Sequence, residues 1–414
     1  MTTTVLRTAP APQRPAHKDG NVLRWLGAYS ASAVGDNVYY LALSWAAVRS
    51  GGAAQAGLVM AVSAVPRALL MLGGGVVADR FGPRRVVIGS DAVRCAAVFA
   101  VAGLLLVASP GVWLLGALGL VFGTVDALFM PAVGALPARV TGRDQLARVQ
   151  GMRGLVVRLA NVVGAPLGGL GVALGGSAAA FGIAGALFAV SLPLLISLRV
   201  RELPDDGGAG ERTAWGELGD GLRYIRGHRV LAPLMVLVAL ADLGFVGPLN
   251  IGLTLLADER GWGASGVGLV LAGFGAGAGI SALFLTVRGR VPRAGLVLSV
   301  TCLAGAVGVG AVAYVPVVWA AAGVALLVGL LIGLTGAVCA ALAQTEADPT
   351  YVGRVTSVGS LVSLGVAPLT YPLTGVAVGA WGTAPVFTVS AAACGLAGLF
   401  GLCSRGLREA ELPR

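Results

Sequence analysis

Twelve apolar runs, each about twenty residues long, constrain this chain more than any other feature of its sequence. A helix rises about 1.5 Å per residue, so about 20 apolar residues cross the ~30 Å hydrocarbon layer of a bilayer. The sequence therefore predicts an all-α integral membrane protein with twelve transmembrane helices. The runs lie at 24–48, 55–78, 86–108, 112–136, 147–172, 178–198, 230–257, 264–287, 294–313, 317–341, 355–378 and 383–403.

A polar segment divides the runs into two groups of six. We expect a cytoplasmic tail at 1–22, an N-terminal six-helix bundle at 23–199, a cytoplasmic linker at 200–229, a C-terminal six-helix bundle at 230–404 and a cytoplasmic tail at 405–414. Within the linker, apolar residues recur at helical spacing beside three arginines, which predicts an amphipathic helix on the inner leaflet. These apolar residues are Trp215, Leu218, Leu222 and Ile225.

The basic residues predict how the chain is oriented in the membrane. If both termini are cytoplasmic, 23 of the 29 Lys and Arg residues lie in cytoplasmic segments, whereas Arg49 and Arg260 lie outside. Such a bias is the positive-inside pattern of membrane proteins. We therefore attribute the net charge of +10 to membrane topology and expect no binding of nucleic acid.

A short charged segment separates the second apolar run from the third. It reads Gly73-Gly-Gly-Val-Val-Ala-Asp79-Arg80-Phe-Gly82-Pro83-Arg84-Arg85. Gly82-Pro83 favours a turn, and the arginines anchor the loop at the membrane surface. A gating role is one interpretation, and an ordinary basic loop in which Asp79 caps or solvates the turn is the other. The residues of the gating interpretation are Gly75, Asp79, Arg80, Gly82, Arg84 and Arg85.

Three carboxylates inside the apolar runs are candidates for carrying a coupled proton. Asp36, Asp126 and Asp242 lie where a charge is costly unless it is paired, protonated or in contact with water. For Asp36 we predict Arg158 and Asn161 as polar neighbours. The alternative is a permanent bridge between Asp36 and an arginine that only holds the helices together.

Other polar residues in the runs fit either a cavity or local pairing. Asp91 and Arg94 lie three residues apart on one helix face, which predicts a local salt bridge. The candidates for a substrate cavity are Asn37, Tyr40, Arg67, Arg158, Asn161, Asn250 and Tyr371. Small residues around a proline predict a bend and close helix contact in the fifth run, at Gly164, Pro166, Gly168 and Gly169.

These motifs resemble those of a known family. The segment from Gly75 to Arg85 resembles the loop between helices 2 and 3 of the major facilitator superfamily. The run from Gly164 to Gly169 resembles the Gly-Pro-x-x-Gly-Gly signature of its proton-coupled exporters, with the proline one residue late. The similarity extends along nearly the whole chain to the drug, macrolide and siderophore exporter branch. It implies two pseudo-symmetric six-helix bundles and proton-driven efflux by alternating access, as an antiporter.

Three functions are compatible with the sequence. The first is a proton-coupled exporter of an amphipathic drug or natural product, the second a siderophore or metabolite carrier of the same fold, and the third a non-transporting receptor or scaffold. Outer loops of a few residues argue against the receptor. Without a nucleotide-binding loop, uphill transport would depend on an ion gradient.

We also expect no enzymatic activity, no cofactor and no metal, because no nucleophile–base pair and no ligand cluster is visible. The five cysteines are unclustered and are expected to act as small packing residues. The expected partners are a small-molecule substrate, protons and the lipid bilayer. We expect a monomer in a bacterial-type plasma membrane.

Overall fold

Long helices make up almost all of the described part of the chain. A computed structural model describes residues 16–108, 111–142, 145–201, 214–288, 291–348 and 350–412. Ten of the helices described there are long and apolar enough to cross a membrane. Two of these, Gly20–Met71 and Arg148–Ile196, have 52 and 49 residues, enough for two crossings each.

Glycines divide these two long helices. Gly52 has φ 73°, and Gly176 has φ 69° after a non-helical Gly175. A positive φ costs little only for glycine, so the helix turns back at these points. The described chain therefore makes twelve crossings, and the prediction of a twelve-helix membrane fold is confirmed.

The helices are numbered here in chain order. The N-terminal half contains α1 (20–51), α2 (53–81), α3 (Pro83–Val107), α4 (Val112–Val140), α5 (146–174) and α6 (177–196). The linker contains α7 (Ala214–Gly227). The C-terminal half contains α8 (Leu231–Glu259, with a π-helical turn at Pro248–Gly252), α9 (Gly263–Arg288), α10 (Ala294–Val312), α11 (Val318–Thr345), α12 (Val352–Trp381) and α13 (Thr383–Cys403), followed by the short α14 (Arg405–Arg408).

A single glycine connects α2 to α3. Gly82 has φ 82°, and Pro83 occupies the first position of α3, where its missing N–H costs nothing. The predicted tight turn is thus present, and it is shorter than the sequence suggested because α2 continues to Phe81.

The amphipathic helix α7 packs on the C-terminal half. Ile225 is buried, and the Tyr224 ring stacks on the Tyr351 ring with centroids 4.3 Å apart. Leu222 is 58% exposed, so α7 also presents an apolar side chain at the molecular surface. The side chain of Trp215 lies outside what the structure describes.

The two halves are in close contact at one end of the molecule, which we call the closed end. There Arg49 forms an ion pair with Asp258 at 3.4 Å. Gly57 of α2 lies against Tyr371 of α12, and Gly169 of α5 lies against Ala264 of α9. The absence of side chains at these glycines allows the backbones of the two halves to approach.

At the opposite end, which carries Gly82 and which we call the open end, a cavity separates the halves. Its walls include Met71 and Met130 of the N-terminal half and Met235 of the C-terminal half. The molecule is therefore open on the side of the α2–α3 turn and closed on the side of Gly52.

Candidate functional site

A buried arginine holds three carboxylates together inside the N-terminal half. Arg94 of α3 is fully buried. Its Nη1 lies 3.4 Å from Asp91 Oδ1 and 3.6 Å from Asp36 Oδ1, and its Nη2 donates to Asp126 Oδ1. Phe129 packs against the guanidinium, with its ring centre 4.0 Å away. These contacts satisfy the requirement that an intramembrane charge be paired.

Asp126 extends this group toward a second arginine. The Tyr40 hydroxyl donates to Asp126 Oδ2 at 2.7 Å, and Arg67 Nη1 lies 3.9 Å from the same oxygen. Arg67 also donates to the Tyr40 hydroxyl at 3.3 Å. Asp36, Asp91, Asp126, Arg67 and Arg94 together form what we call the charged cluster.

Two serines hold Asp91 in a fixed position within the charged cluster. Ser32 Oγ donates to Asp91 Oδ1 at 2.9 Å, and Ser191 Oγ donates to Asp91 Oδ2 at 2.5 Å. The predicted Asp91–Arg94 salt bridge is present. It is one edge of a larger network rather than an isolated local pair.

Asp36 is the least tightly held carboxylate of the cluster. Its Oδ1 has no hydrogen-bond partner among the described residues, and its contact with Arg94 is 3.6 Å long. Its side chain is 24% exposed, against 0% for Asp91 and 7% for Asp126. With all five groups ionised, three carboxylates face two guanidiniums, so one proton added to Asp36 would make the cluster neutral.

The predicted neighbours of Asp36 are wrong. Arg158 donates from Nη1 to the Ala278 carbonyl of α9 at 3.1 Å, and Asn161 accepts from Asn37 Nδ2 at 3.2 Å. Both residues lie on α5, which faces the other half, whereas the partner of Asp36 is Arg94 on α3.

A cavity of about 250 Å³, which we call the polar cavity, lies between the halves. Five of the predicted cavity residues line it: Asn37, Tyr40, Arg158, Asn161 and Asn250. Ser44 and Thr254 also line it and were missed; they lie one helical turn from Tyr40 and Asn250, a spacing that could have identified them. Tyr40 belongs to the polar cavity and also bonds to Asp126, so it links cavity and charged cluster.

Two predicted cavity residues do not line the polar cavity. Arg67 lies behind Tyr40 in the charged cluster. Tyr371 is buried where α12 meets Gly57 of α2, so it belongs to the contact between the halves.

The cavity at the open end, which we call the apolar cavity, has a volume of about 550 Å³. Asp242 is the one charged side chain among its described lining residues, and it accepts a hydrogen bond from Ser363 Oγ at 2.6 Å. Its other walls are mainly methionines, cysteines and aliphatic side chains. Among the described residues, Asp242 therefore shares neither a hydrogen-bond partner nor a cavity with the charged cluster.

The α2–α3 turn lies at the open end. Arg84 donates to the Ile196 carbonyl at 2.5 Å, which ties the turn to the end of α6. Arg80 and Arg85 are exposed. The side chain of Asp79 lies outside what the structure describes, and Gly75 has open space around it.

The predicted bend motif of α5 serves close packing. The helix continues through Pro166 and leaves helical angles only at Gly175 and Gly176. Gly164 lies against Asn37 and Gly168 against Val38, both on α1.

Two bundles of six helices around a polar cavity, with buried charged groups beside it, form an architecture typical of membrane transporters. The profile of the Major Facilitator Superfamily matches residues 25–369. The chain therefore belongs to the major facilitator superfamily, whose members are membrane transporters.

Characterised relatives are distant. The multidrug efflux pump Tap of Mycobacterium tuberculosis (strain ATCC 25618 / H37Rv) is 28% identical over 226 residues, which cover 49% of this chain and 50% of that protein. Tap of Mycobacterium bovis (strain BCG / Pasteur 1173P2) gives the same values. The chain thus spans about half the length of the curated relatives it matches.

Solved structures share the fold over most of the chain. A D-xylose-proton symporter has a TM-score of 0.74 at 12% identity, covering 93% of this chain and 98% of that chain. A bacterial homolog of the lysosomal transporter Spinster, in an inward-facing and occupied conformation, has a TM-score of 0.70 at 13% identity, covering 96% and 97%. The nucleoside transporter NupG has 0.69 at 13% identity, covering 93% and 99%. At these identities the likeness shows the fold alone.

Proposed function

We propose that this chain is a proton-coupled exporter of an amphipathic small molecule, working as an antiporter by alternating access. The observation that carries the proposal is the unbalanced charged cluster connected through Tyr40 to the polar cavity. The partial identity to the efflux pump Tap supports a drug-like substrate.

Asp36 is the proposed proton carrier. It is the most exposed carboxylate of the charged cluster and has the weakest contact with Arg94. Protonation of Asp36 removes the excess negative charge, whereas deprotonation restores it and strengthens the attraction to Arg94. Since Tyr40 contacts both sites, a ligand in the polar cavity can alter the hydrogen bond to Asp126 and so the balance of the cluster.

Transport by purified protein in proteoliposomes tests this function. A panel of amphipathic drugs, with an iron siderophore as a separate arm, is offered under an imposed pH gradient. Accumulation of a drug that collapses when the gradient is dissipated supports the proposal. Accumulation of the siderophore alone would support the metabolite carrier, and no accumulation of any compound would support the non-transporting receptor or scaffold.

We further propose that the open end faces the cytoplasm of a bacterial-type cell and that both termini are cytoplasmic. In a variant whose five cysteines are replaced, Arg85→Cys at the exposed α2–α3 turn is expected to react with an impermeant maleimide only in everted vesicles. The matched control is Ala54→Cys at the closed end, which is expected to react only in whole cells. The reverse labelling pattern would contradict this orientation.

The α2–α3 turn is the proposed gate. We propose that Asp79 links α2 to neighbouring helices when the open end closes. Asp79→Asn is therefore expected to reduce the population of molecules whose open end has closed about fivefold or more. The measurement is the external labelling rate of Asn250→Cys in the polar cavity, which should fall together with transport. Glu409→Gln, an exposed carboxyl outside this turn, serves as the control. Unchanged labelling and transport in Asp79→Asn would favour the capping interpretation.

A further inference from the structure

The polar cavity and the apolar cavity carry single charges of opposite sign. Arg158 is the one charged side chain among the described residues of the polar cavity, and Asp242 is the one in the apolar cavity. The three asparagines around Arg158 add hydrogen-bonding groups. The apolar cavity adds mainly thioether, thiol and aliphatic surface.

Neither charge has a counter-charge in the described part of the chain. The ion pairs described there include neither Arg158 nor Asp242. Arg158 bonds to the Ala278 carbonyl, which also accepts from Ser281 Oγ at 3.1 Å. Arg158 can therefore leave this carbonyl without stranding it. Isolated charges at this depth are costly. A ligand that supplies a counter-charge to each of them therefore gains binding free energy at Arg158 and at Asp242.

An apolar connection lies between the two cavities. Phe274 lines the polar cavity and Phe245 lines the apolar cavity. Their ring centroids are 5.5 Å apart, and both border a small void of about 40 Å³. A molecule that extends along this connection from one cavity toward the other places its central part against aromatic surface.

From these observations we infer that the transported molecule is amphoteric: a basic amine binds Asp242, an acidic or acceptor-rich group binds Arg158, and an apolar scaffold contacts Phe245 and Phe274. This inference rests on the proposed transport function and specifies its substrate class. Cavity volumes of about 250 and 550 Å³ accommodate a drug-sized molecule. A purely cationic lipophilic compound would leave Arg158 without a counter-charge.

Three dyes on one xanthene scaffold test the inference. A rhodamine free acid is the zwitterion, its methyl ester is the cation, and fluorescein is the anion. Binding to the purified full chain is measured by fluorescence anisotropy. We expect the zwitterion to bind about tenfold more tightly than either dye that carries charge of one sign only, as one additional charge contact implies.

Charge-neutral variants assign each preference to one residue. Arg158→Gln is expected to abolish the preference for the zwitterion over the ester without changing ester affinity. Asp242→Asn is expected to abolish the preference over fluorescein without changing fluorescein affinity. Arg158→Lys and Asp242→Glu should retain both preferences. Gln344→Ala, a neutral change in the apolar cavity, is the control and should alter no preference.

Several results would overturn the inference. Equal affinity for the three dyes, no binding of any of them, or a uniform loss in both neutral variants would each do so. Thermal melting identifies variants that fail to fold. If a neutral variant fails to fold, dye binding to Arg158→Lys or Asp242→Glu at the same position is used to test the inference. Failure of the proposed function is distinguishable: dye transport without charge preference overturns the inference alone, whereas charge-selective binding without pH-driven transport overturns the function alone.

Discussion

Asp36→Asn is expected to abolish pH-driven accumulation while leaving downhill exchange intact. Two carboxylates and two guanidiniums then remain, so the charged cluster is neutral at every pH and mimics the protonated state. With one proton exchanged per substrate, each unit of pH gradient supports about tenfold accumulation of substrate. In the variant, the substrate concentration ratio across the membrane should fall to one. The measurement is the substrate concentration ratio across proteoliposomes, beside counterflow exchange.

Asp258→Asn provides the control for this experiment. It removes the exposed ion pair with Arg49 and should leave accumulation nearly unchanged, because surface pairs contribute little. If Asp36→Asn accumulates substrate as the wild type does, the role of proton carrier would be assigned to Asp126 or Asp242. A loss of both exchange and thermal stability would instead support a permanent Asp36–Arg94 bridge, since breaking a buried pair is strongly destabilising.

The twelve crossings were predictable because hydropathy is a local property. Each apolar run has the length that a bilayer requires, whatever its neighbours are. The turn at Gly82-Pro83 was predictable for a similar reason, since glycine tolerates the positive φ that a tight turn needs and proline restricts its own φ. The glycines that divide the two longest helices also lie between predicted runs.

The central position of Arg94 was not predictable from local spacing. Asp91 lies one helical turn away and already provided a partner, so local spacing offered no reason to seek another. Its other partners, Asp36 and Asp126, are 58 and 32 positions away in the chain and on different helices. The sequence predicts that an arginine at this depth must be paired. Which carboxylates pair with it depends on how the helices pack.

The error over Arg158 has a different physical origin. Depth in the membrane can be estimated by counting residues, and Asp36 and Arg158 both lie well inside their helices. Depth does not determine which way a helix face is turned, and α5 turns Arg158 toward α9. Tyr371 was misplaced for the same reason, because it lies buried where α12 packs against α2 rather than at the polar cavity.

Gly57→Leu is expected to prevent the closed end from forming. A Cβ at this position would lie 2.6 Å from the Tyr371 carbonyl oxygen and 3.2 Å from the Gly375 Cα, and these backbone atoms cannot rotate away. Overpacking by a few carbons costs about 1–3 kcal/mol, enough to shift a two-state equilibrium about fivefold or more toward the form that is open at this end.

In the proposed orientation, external labelling of Asn250→Cys should therefore rise in Gly57→Leu while transport falls, because a transporter that cannot close one end cannot alternate. Gly73→Leu is the matched control: it lies on the same helix, a Cβ there meets nothing within 4 Å, and labelling should stay at the parent rate. Equal labelling in both variants would mean that α2 and α12 do not form the outer closure. Since Gly375 faces Ala53 and Gly57 in the same contact, Gly375→Leu should reproduce the result from the opposite half.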